Sequence, residues 1–472
     1  MDQTALSSAS WAREEFGSCE LGDRRRTRRL VRVAAKLAEN PAGKVTEVFA
    51  TSAERQGAYD LLANPEVSAA SLIESVAMAT VDRGEGLEFA YVSVDGTSIT
   101  LTDRAGTKGF GRVGSNAQGN RGVKIVHAYA VAPNGVPLGI VDQQYWARPL
   151  ARKLKASRCR PLDQKETKHW LKSIETSGRL LTNAGIRPWF LLDREADGYW
   201  KLRTLHESGA WFTLRSTWAN RFARDTRGRR SSMRAILSKS RIATTYDLDV
   251  TERYRRSPRT AKLSVRAATM EIELMDRPTH DMRWLPINVV EAREVLTTPR
   301  GEEPIEWRLL TNRPISTVEE IKQVIASYTH RWAIEELHRS WKSGACRIED
   351  TQLRSFDRVV KWSVMTATVA ARIERLKVRA RTEPKAEPAT AFSRWELDAI
   401  YLLKRTEAGR MKGRVRRPST LEKAVRCVAE FGGYTGRSSG GPPGAITIRR
   451  GLERITPVAS ALEELHASGA LR

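Results

Sequence analysis

Asp95, Asp193 and Glu335 are the residues of this chain whose types and settings best suit chemistry. Asp95 stands at the C-terminal end of the apolar run GLEFAYVSVDG, Asp193 closes a second run, IRPWFLLD, and Glu335 lies within SYTHRWAIEELHRSWKSG. The two runs predict buried strands, and sites in α/β sheets form outside the carboxyl ends of such strands. Taken singly, an Asp after a strand is an ordinary turn former. Taken together, two Asp and one Glu on separate elements can hold two Mg2+ ions about 4 Å apart. Such a pair activates an attacking oxygen and stabilises the leaving oxygen of an in-line phosphoryl displacement. Mg2+ favours hard carboxylate oxygens and keeps several waters, so few protein ligands suffice.

The element that carries Glu335 is expected to be a long helix from about Thr317 to Gly344. Within it Tyr328, Arg331, Glu335 and Lys342 are spaced 0, 3, 7 and 14. At the 100° step of a helix all four fall within about 60° of one face. A surface stripe of ion pairs would use the same spacing. A carboxylate amid cations also suits a site that handles a negatively charged substrate together with a divalent metal. His127, His330 and His338 raise a zinc reading, but His330 and His338 have neither a Cys nor a third His nearby. They read as packing or phosphate-contact residues.

The scaffold around these residues has 472 positions, enough for two or three domains with a substantial core. Hydrophobic residues make up 40% and charged residues 29%, too apolar a mixture for a disordered chain. No apolar run approaches the roughly 20 residues of a membrane helix, and MDQTALSSASWAREEFG lacks the pattern of a secretory signal. Eighty Lys and Arg against 55 Asp and Glu give a net charge of +25. A polyanion is the expected partner, and nucleic acid is the default. Cys19, Cys159, Cys346 and Cys427 are too scattered for a zinc finger or a disulfide framework. A reducing, cytoplasmic setting fits them.

Residues 1–70 read as helical. Asp23 is a plausible N-cap, after which Leu30, Val33, Ala34 and Leu37 make one apolar stripe. Arg25, Arg28, Arg29, Arg32 and Lys36 crowd the other side within about 80° of arc. Seven basic residues stand between Arg24 and Lys36 with no acid among them, which favours a helix laid on DNA phosphates over a merely solvated face. A second helix ends at Asn64-Pro65. From about 85 the chain turns to strands: a hairpin in VKIVHAYAVAPNGVPLGIVDQQYW, a helix over 163–184, then IRPWFLLD and GAWFTLRS. Strands first antiparallel and then joined through a helix fit a mixed sheet with helices on its faces. Residues 217–305 read as a β-rich insertion, IEWRLLTNRP returns to a core strand, and a helix covers about 356–381. TEPKAEPATAF reads as a Pro/Ala linker before a helical end.

With these residues in view, a resemblance emerges. The string from Tyr328 through Arg331 and Glu335 to Lys342 resembles the Y-R-E-K signature of bacterial insertion-sequence transposases, the family of the transposase of transposon five. Asp193-Arg-Glu-Ala-Asp197 resembles that family's DREAD motif. The likeness runs nearly end to end, from WAREEFGSCELGDRRRTRRLVRVAAKLA to the Gly-Gly and Pro-Gly loop near residue 440. It implies a DDE transposase with an RNase H-like α/β core carrying the β-rich insertion. Helical domains would flank it, at 1–70 for DNA ends and 376–472 for dimerisation, with the catalytic domain at 71–375. It implies that Asp95, Asp193 and Glu335 carry two Mg2+ per site, with Mn2+ able to substitute. Tyr328, Arg331 and Lys342 would contact phosphates near the cleaved end. Trp307, 21 residues before Tyr328, matches a Trp that helps hold a flipped base. Arg215 matches a basic residue near a DNA hairpin. The implied activity is cut-and-paste transposition: terminal repeats are bound, nicked, hairpinned and joined to target DNA, with cleavage in trans in a two-ended complex. The implied setting is the bacterial cytoplasm, at the nucleoid and away from membranes. Two departures stand out: Gly96 where a relative carries Thr, and Arg24 where a relative has Pro.

Two other classes share part of this pattern. A metal-dependent nuclease would use the same carboxylates without needing the long helical C-terminal region. A DNA-binding regulator with an inactive RNase H-like core would keep the basic helix but lose carboxylates, and here all three are present. A glycosidase built on a carboxylate pair would not account for the charge of +25.

Overall fold

The computed structural model describes residues 7–114, 119–150, 159–250, 257–408, 415–437 and 441–470. Part of the expected Gly/Pro-rich loop, residues 438–440, lies outside them. Five helices come first: α1 (Ser8–Phe16), α2 (Arg24–Glu39), α3 (Val45–Val48), α4 (Ser52–Ala63) and α5 (Ala69–Asp82). The Asp23 carboxylate caps α2 by accepting from the Arg25 N–H at 2.8 Å. Leu30, Val33, Ala34 and Leu37 are buried as their spacing predicts. A Thr51–Glu54 capping box opens α4.

The sheet begins with β1 (Phe89–Leu101), β2 (Gly111–Arg112), β3 (Arg121–Val131) and β4 (Pro137–Trp146). After α6 (Thr167–Asn183) come β5 (Arg187–Leu192), α7 (Tyr199–Glu207) and β6 (Trp211–Arg215). β1, β3 and β4 are antiparallel neighbours, while β5 and β6 add to β1 in parallel. Strand order β4-β3-β1-β5-β6 with helices on both faces is the RNase H-like arrangement. β1 alternates between the faces: Tyr91 and Ile99 join a core under the helices, and Val92 and Val94 a second core with Trp170 of α6.

The insertion holds β7 (Phe222–Arg224), β8 (Arg230–Ser232), α8 (Met233–Lys239), β9 (Ile242–Val250), β10 (Arg259–Asp276) and β11 (Asp281–Glu294). It extends the same sheet, because β12 (Glu306–Thr311) pairs with both β11 and β6. The chain closes with α9 (Val318–Thr329), α10 (Trp332–Lys342), α11 (Phe356–Thr382), α12 (Arg394–Ala408), α13 (Leu421–Phe431) and α14 (Ala445–Ala467). Among the described residues no helix is long and apolar enough to cross a membrane.

Two expectations are corrected. The single helix expected from Thr317 to Gly344 is two helices. Between them His330 and Arg331 donate their N–H groups to Ser327 and Tyr328 carbonyls at 3.1 and 3.2 Å. These are tightened i to i+3 turns, and His330 stacks on Tyr91 at 4.7 Å at that bend. The expected linker at 382–392 is packed instead. Phe392 is buried and the Leu421 N–H donates to the Ala386 carbonyl at 2.8 Å. The C-terminal helices pack into the body of the chain. Ile400, Val425, Val428 and Phe431 are buried in one core shared with α2, α4 and α11, and Leu402 is 37% exposed.

Candidate active site

The parallel pairing of β1 with β5 runs from Phe89–Arg187 to Ser93–Leu191. Asp95 lies two residues beyond that pairing on one strand, and Asp193 two residues beyond it on the other. Both carboxylates therefore leave the sheet at the same edge. The expectation that Asp95 ends its strand is corrected: β1 continues to Leu101 along β3, with Thr97 opposite Ile125 and Ile99 opposite Val123. That extension buries Ile99 and Leu101 and so is held by tertiary packing. Asp193 caps the 3-10 turn Arg194–Ala196, its Oδ1 accepting from the Glu195 N–H at 2.8 Å. Glu335 stands in the first turn of α10 with its side chain 37% exposed.

Arg331, at the N-cap of α10, lies between two of these groups. Its Nη2 donates to Glu335 Oε1 at 3.0 Å, and its Nη1 is 3.8 Å from Asp95 Oδ2. That Nη1 is buried without a hydrogen-bond partner. Asp95 is buried, and its carboxyl is pushed up to about 7. Burial is the main cause, followed by the charge of Asp193, with Glu335 adding to it; Arg331 and the Gly96 N–H oppose it. Three carboxylates thus crowd one another at the sheet edge. Among the described residues no three His, Cys, Asp or Glu converge into a ready-made cation site. The donor set still fits hard divalent cations: all its atoms are carboxylate oxygens, and their mutual repulsion is what a cation relieves.

The neighbouring residues form a second layer. Tyr328 is buried, and its ring meets Trp307 edge-on with centroids 5.4 Å apart. Arg215 donates to the Glu306 carbonyl at 2.8 Å and lies within hydrogen-bonding reach of the Tyr328 hydroxyl. Burial raises that hydroxyl above the usual tyrosine range. Lys342, half-buried at the end of α10, makes no ion pair among the described residues. Gly96 has a local reason: a β-carbon there would lie 3.0 Å from Cζ2 of Trp170. His127 and His338 are buried with their ring nitrogens 3.2 Å apart, a packing role like that of His330.

The arginines of α2 are not part of this cluster. Arg25, Arg28, Arg29 and Arg32 are exposed, and none makes an ion pair among the described residues. Near the carboxylates one residue escaped the sequence reading, Lys201, and one named only as part of a motif, Asp197, has a structural role. Lys201 of α7 donates to the Glu195 carbonyl at 2.6 Å and sits 4.4 Å above the Trp170 ring. Burial pushes its amine down to about 8 against the pull of Glu195, Asp193 and Asp197. The Asp197 carboxylate is fully buried and accepts from the Ser216 hydroxyl and the Thr217 N–H at 2.8 Å each. No local pattern marks Lys201, because Asp197 precedes α7 and their i, i+4 spacing does not put them on one helix face.

Comparison with known families agrees with this geometry. The family described as transposase DNA-binding matches residues 8–67. The family described as transposase DDE domain matches residues 92–371, a span containing the three carboxylates, Arg331 and the whole insertion.

Proposed function

The chain belongs to the transposase DDE domain family, and from that premise we propose that it is a cut-and-paste transposase. It binds terminal repeats of a mobile element, nicks and hairpins the ends, and joins them to target DNA. The observation that carries this reading is geometric: Asp95 and Asp193 stand at matching positions beyond the paired ends of two adjacent parallel strands, and Arg331 links Asp95 to Glu335.

Asp95, Asp193 and Glu335 are the residues that would hold divalent cations, two Mg2+ per site with Mn2+ able to replace them. When bound, such ions supply Lewis acidity to the attacking and leaving oxygens of a phosphoryl transfer. The protein's own groups bind and orient the DNA. The Nη1 of Arg331, near Asp95 but without a hydrogen-bond partner, is a buried donor suited to a phosphate oxygen. Lys342 lies two turns along α10 from Glu335, about 10 Å away at 1.5 Å per residue, and suits a neighbouring phosphate. Tyr328, fixed by Arg215 and Trp307, offers a hydroxyl at the same edge. Trp307 with Tyr328 forms the aromatic wall for an unstacked base, as a hairpin turn requires. The exposed arginines of α2 suit the backbone of the terminal repeat at some distance from the cut. Residues 1–70, 71–375 and 376–472 would serve end binding, catalysis and subunit pairing, all resting on one continuous apolar core.

The test is incubation of the protein with Mg2+ and duplex DNA carrying the repeats that flank its element. Nicks at the repeat boundary, then hairpins, then double-strand breaks are expected. Repeat binding without any nick would refute the reading and leave a DNA-binding regulator.

A further inference from the structure

Strand β6 sorts its residues between the two faces of the sheet. The Thr213 hydroxyl lies 3.2 Å from that of Ser327 on α9, and Arg215 on the same face reaches Tyr328. Phe212 and Leu214 point the other way, into the core under α6 and α7. Ser216 follows this second parity and bonds Asp197. Asp197 also pairs with the Arg221 guanidinium, and the Thr217 hydroxyl reaches the Arg194 carbonyl at 3.3 Å. Residues 216–221 are thus fastened to the turn after Asp193, on the face opposite Tyr328, Arg331 and Glu335.

This fastened loop presents Trp218 to solvent. Its side chain is 61% exposed, and among the described residues no ring or cation stacks on it. Trp307, by contrast, is already packed against Tyr328. Arg194, Arg227 and Arg234 nearby in the chain are exposed and make no ion pair among the described residues. An exposed indole on a loop whose neighbours Arg194 and Arg234 are bonded to it through their backbone matches a polyanion that offers flat apolar surfaces, which is DNA with an unstacked base.

We propose that Trp218 is a stacking platform for a base of the target DNA. The inference rests on the transposase reading, in which the element's end is held on the Tyr328, Arg331 and Lys342 face. The loop that carries Trp218 is tied to the turn directly after Asp193, so DNA meeting Trp218 passes beside the carboxylates, where a target strand must reach. Asp197 is then a positioning residue: it acts through the loop that it clamps.

The experiment compares the full chain with Trp218→Ala and Trp218→Phe in two arms. One arm scores binding and nicking of uncut end DNA. The other scores joining of pre-cut ends to a 40-base-pair target, either fully paired or containing one unpaired 2-aminopurine. Trp218→Ala should nick within twofold of the parent but join about tenfold more slowly, the scale of removing one aromatic ring from beneath a base. The parent should quench the unpaired 2-aminopurine and favour the target that contains it. Trp218→Phe should retain both properties, and Trp218→Ala should lose both. Unchanged joining by Trp218→Ala would overturn the proposal. So would an equal fall in nicking and joining, which assigns Trp218 to the end site, or loss of the two-ended complex on a native gel, which assigns it to protein contact. A parent chain that neither nicks nor joins would remove the transposase reading itself, and this inference with it.

Discussion

Replacing Asp95 by Asn should abolish cleavage while making the metal-free protein more stable, and the stability gain should grow with pH. Burial and the charge of Asp193 push the Asp95 carboxyl from an ordinary 3.8 up to about 7 in the folded chain. A group that holds its proton more tightly when folded contributes fully below its unfolded pKa. That contribution is lost as pH rises through the folded value. The interval of about 3 pH units, at roughly 1.4 kcal/mol each, makes the ionised carboxylate cost about 4 kcal/mol above pH 7. At pH 5 the unfolded chain is already ionised and a little under half of this has been lost, so the larger part remains to be lost between pH 5 and pH 8.

Asn keeps the shape of the protonated acid and cannot ionise, so it escapes this loss. Scanning fluorimetry in EDTA should therefore show the variant melting above the parent by a few degrees more at pH 8 than at pH 5. Adding Mg2+ at pH 8 should raise the melting temperature of the parent and leave the variant unmoved, since only the parent keeps all three carboxylates. An equal melting difference at both pH values would refute the argument, because Asp95 would then be ionised throughout.

Other expectations follow from the same site. Asp193→Asn should remove strand cleavage and leave end binding within twofold in a gel-shift assay. Arg28, Arg29 and Arg32 changed together to Ala should weaken end binding and flatten the slope of log K against log salt by about 0.9 for each phosphate no longer neutralised; an unchanged slope would make α2 a solvated face. Trp307→Ala should allow the first nick and slow the hairpin, and equal slowing of both would make the residue simply part of the β12 core. Leu402→Asp should leave single-end binding intact while lowering the yield of paired complexes seen by light scattering, if the exposed apolar surface of α12 serves subunit pairing.

Much of this architecture was legible because burial on both faces writes itself as an apolar run. β1, β5 and β6 are such runs, and Asp193 directly follows one. The extension of β1 past Asp95 was not legible, since nothing local stops or continues a strand at Gly96; the partner β3 does so, through pairs such as Thr97–Ile125. The bend at His330 was hidden for a related reason. The helical period of SYTHRWAIEELHRSW continues through it, and the tightening comes from packing against Tyr91 on another element. Periodicity also cannot say which surface an apolar stripe covers: that Val425, Val428 and Phe431 close on the core shared with α2, α4 and α11 is a tertiary fact. Asp197 was visible within DREAD, but its binding partners stand 19 to 24 residues onward, beyond any local pattern.

The charge of the molecule is divided in a way that separates binding from cutting. A net +25 draws DNA from a distance, while the point of chemistry is a set of three carboxylates, two of which, Asp95 and Glu335, are answered by Arg331. The attraction comes from elsewhere: the arginines of α2, Lys342 at the far end of α10, and exposed arginines such as Arg194 and Arg234. A phosphate approaching the sheet edge without divalent cations therefore meets repulsion at the place where it must react. Glu335→Gln removes one of those negative charges from a side chain that is 37% exposed. It should abolish cleavage, yet in EDTA it should bind end DNA slightly more tightly than the parent, by up to about twofold at low salt, with the gain shrinking as salt screens it. A variant that binds more weakly in EDTA would mean that Glu335 holds Arg331 in its phosphate-binding pose through their 3.0 Å hydrogen bond. The carboxylate cluster would then contribute to DNA affinity, and the division between binding and cutting would fail.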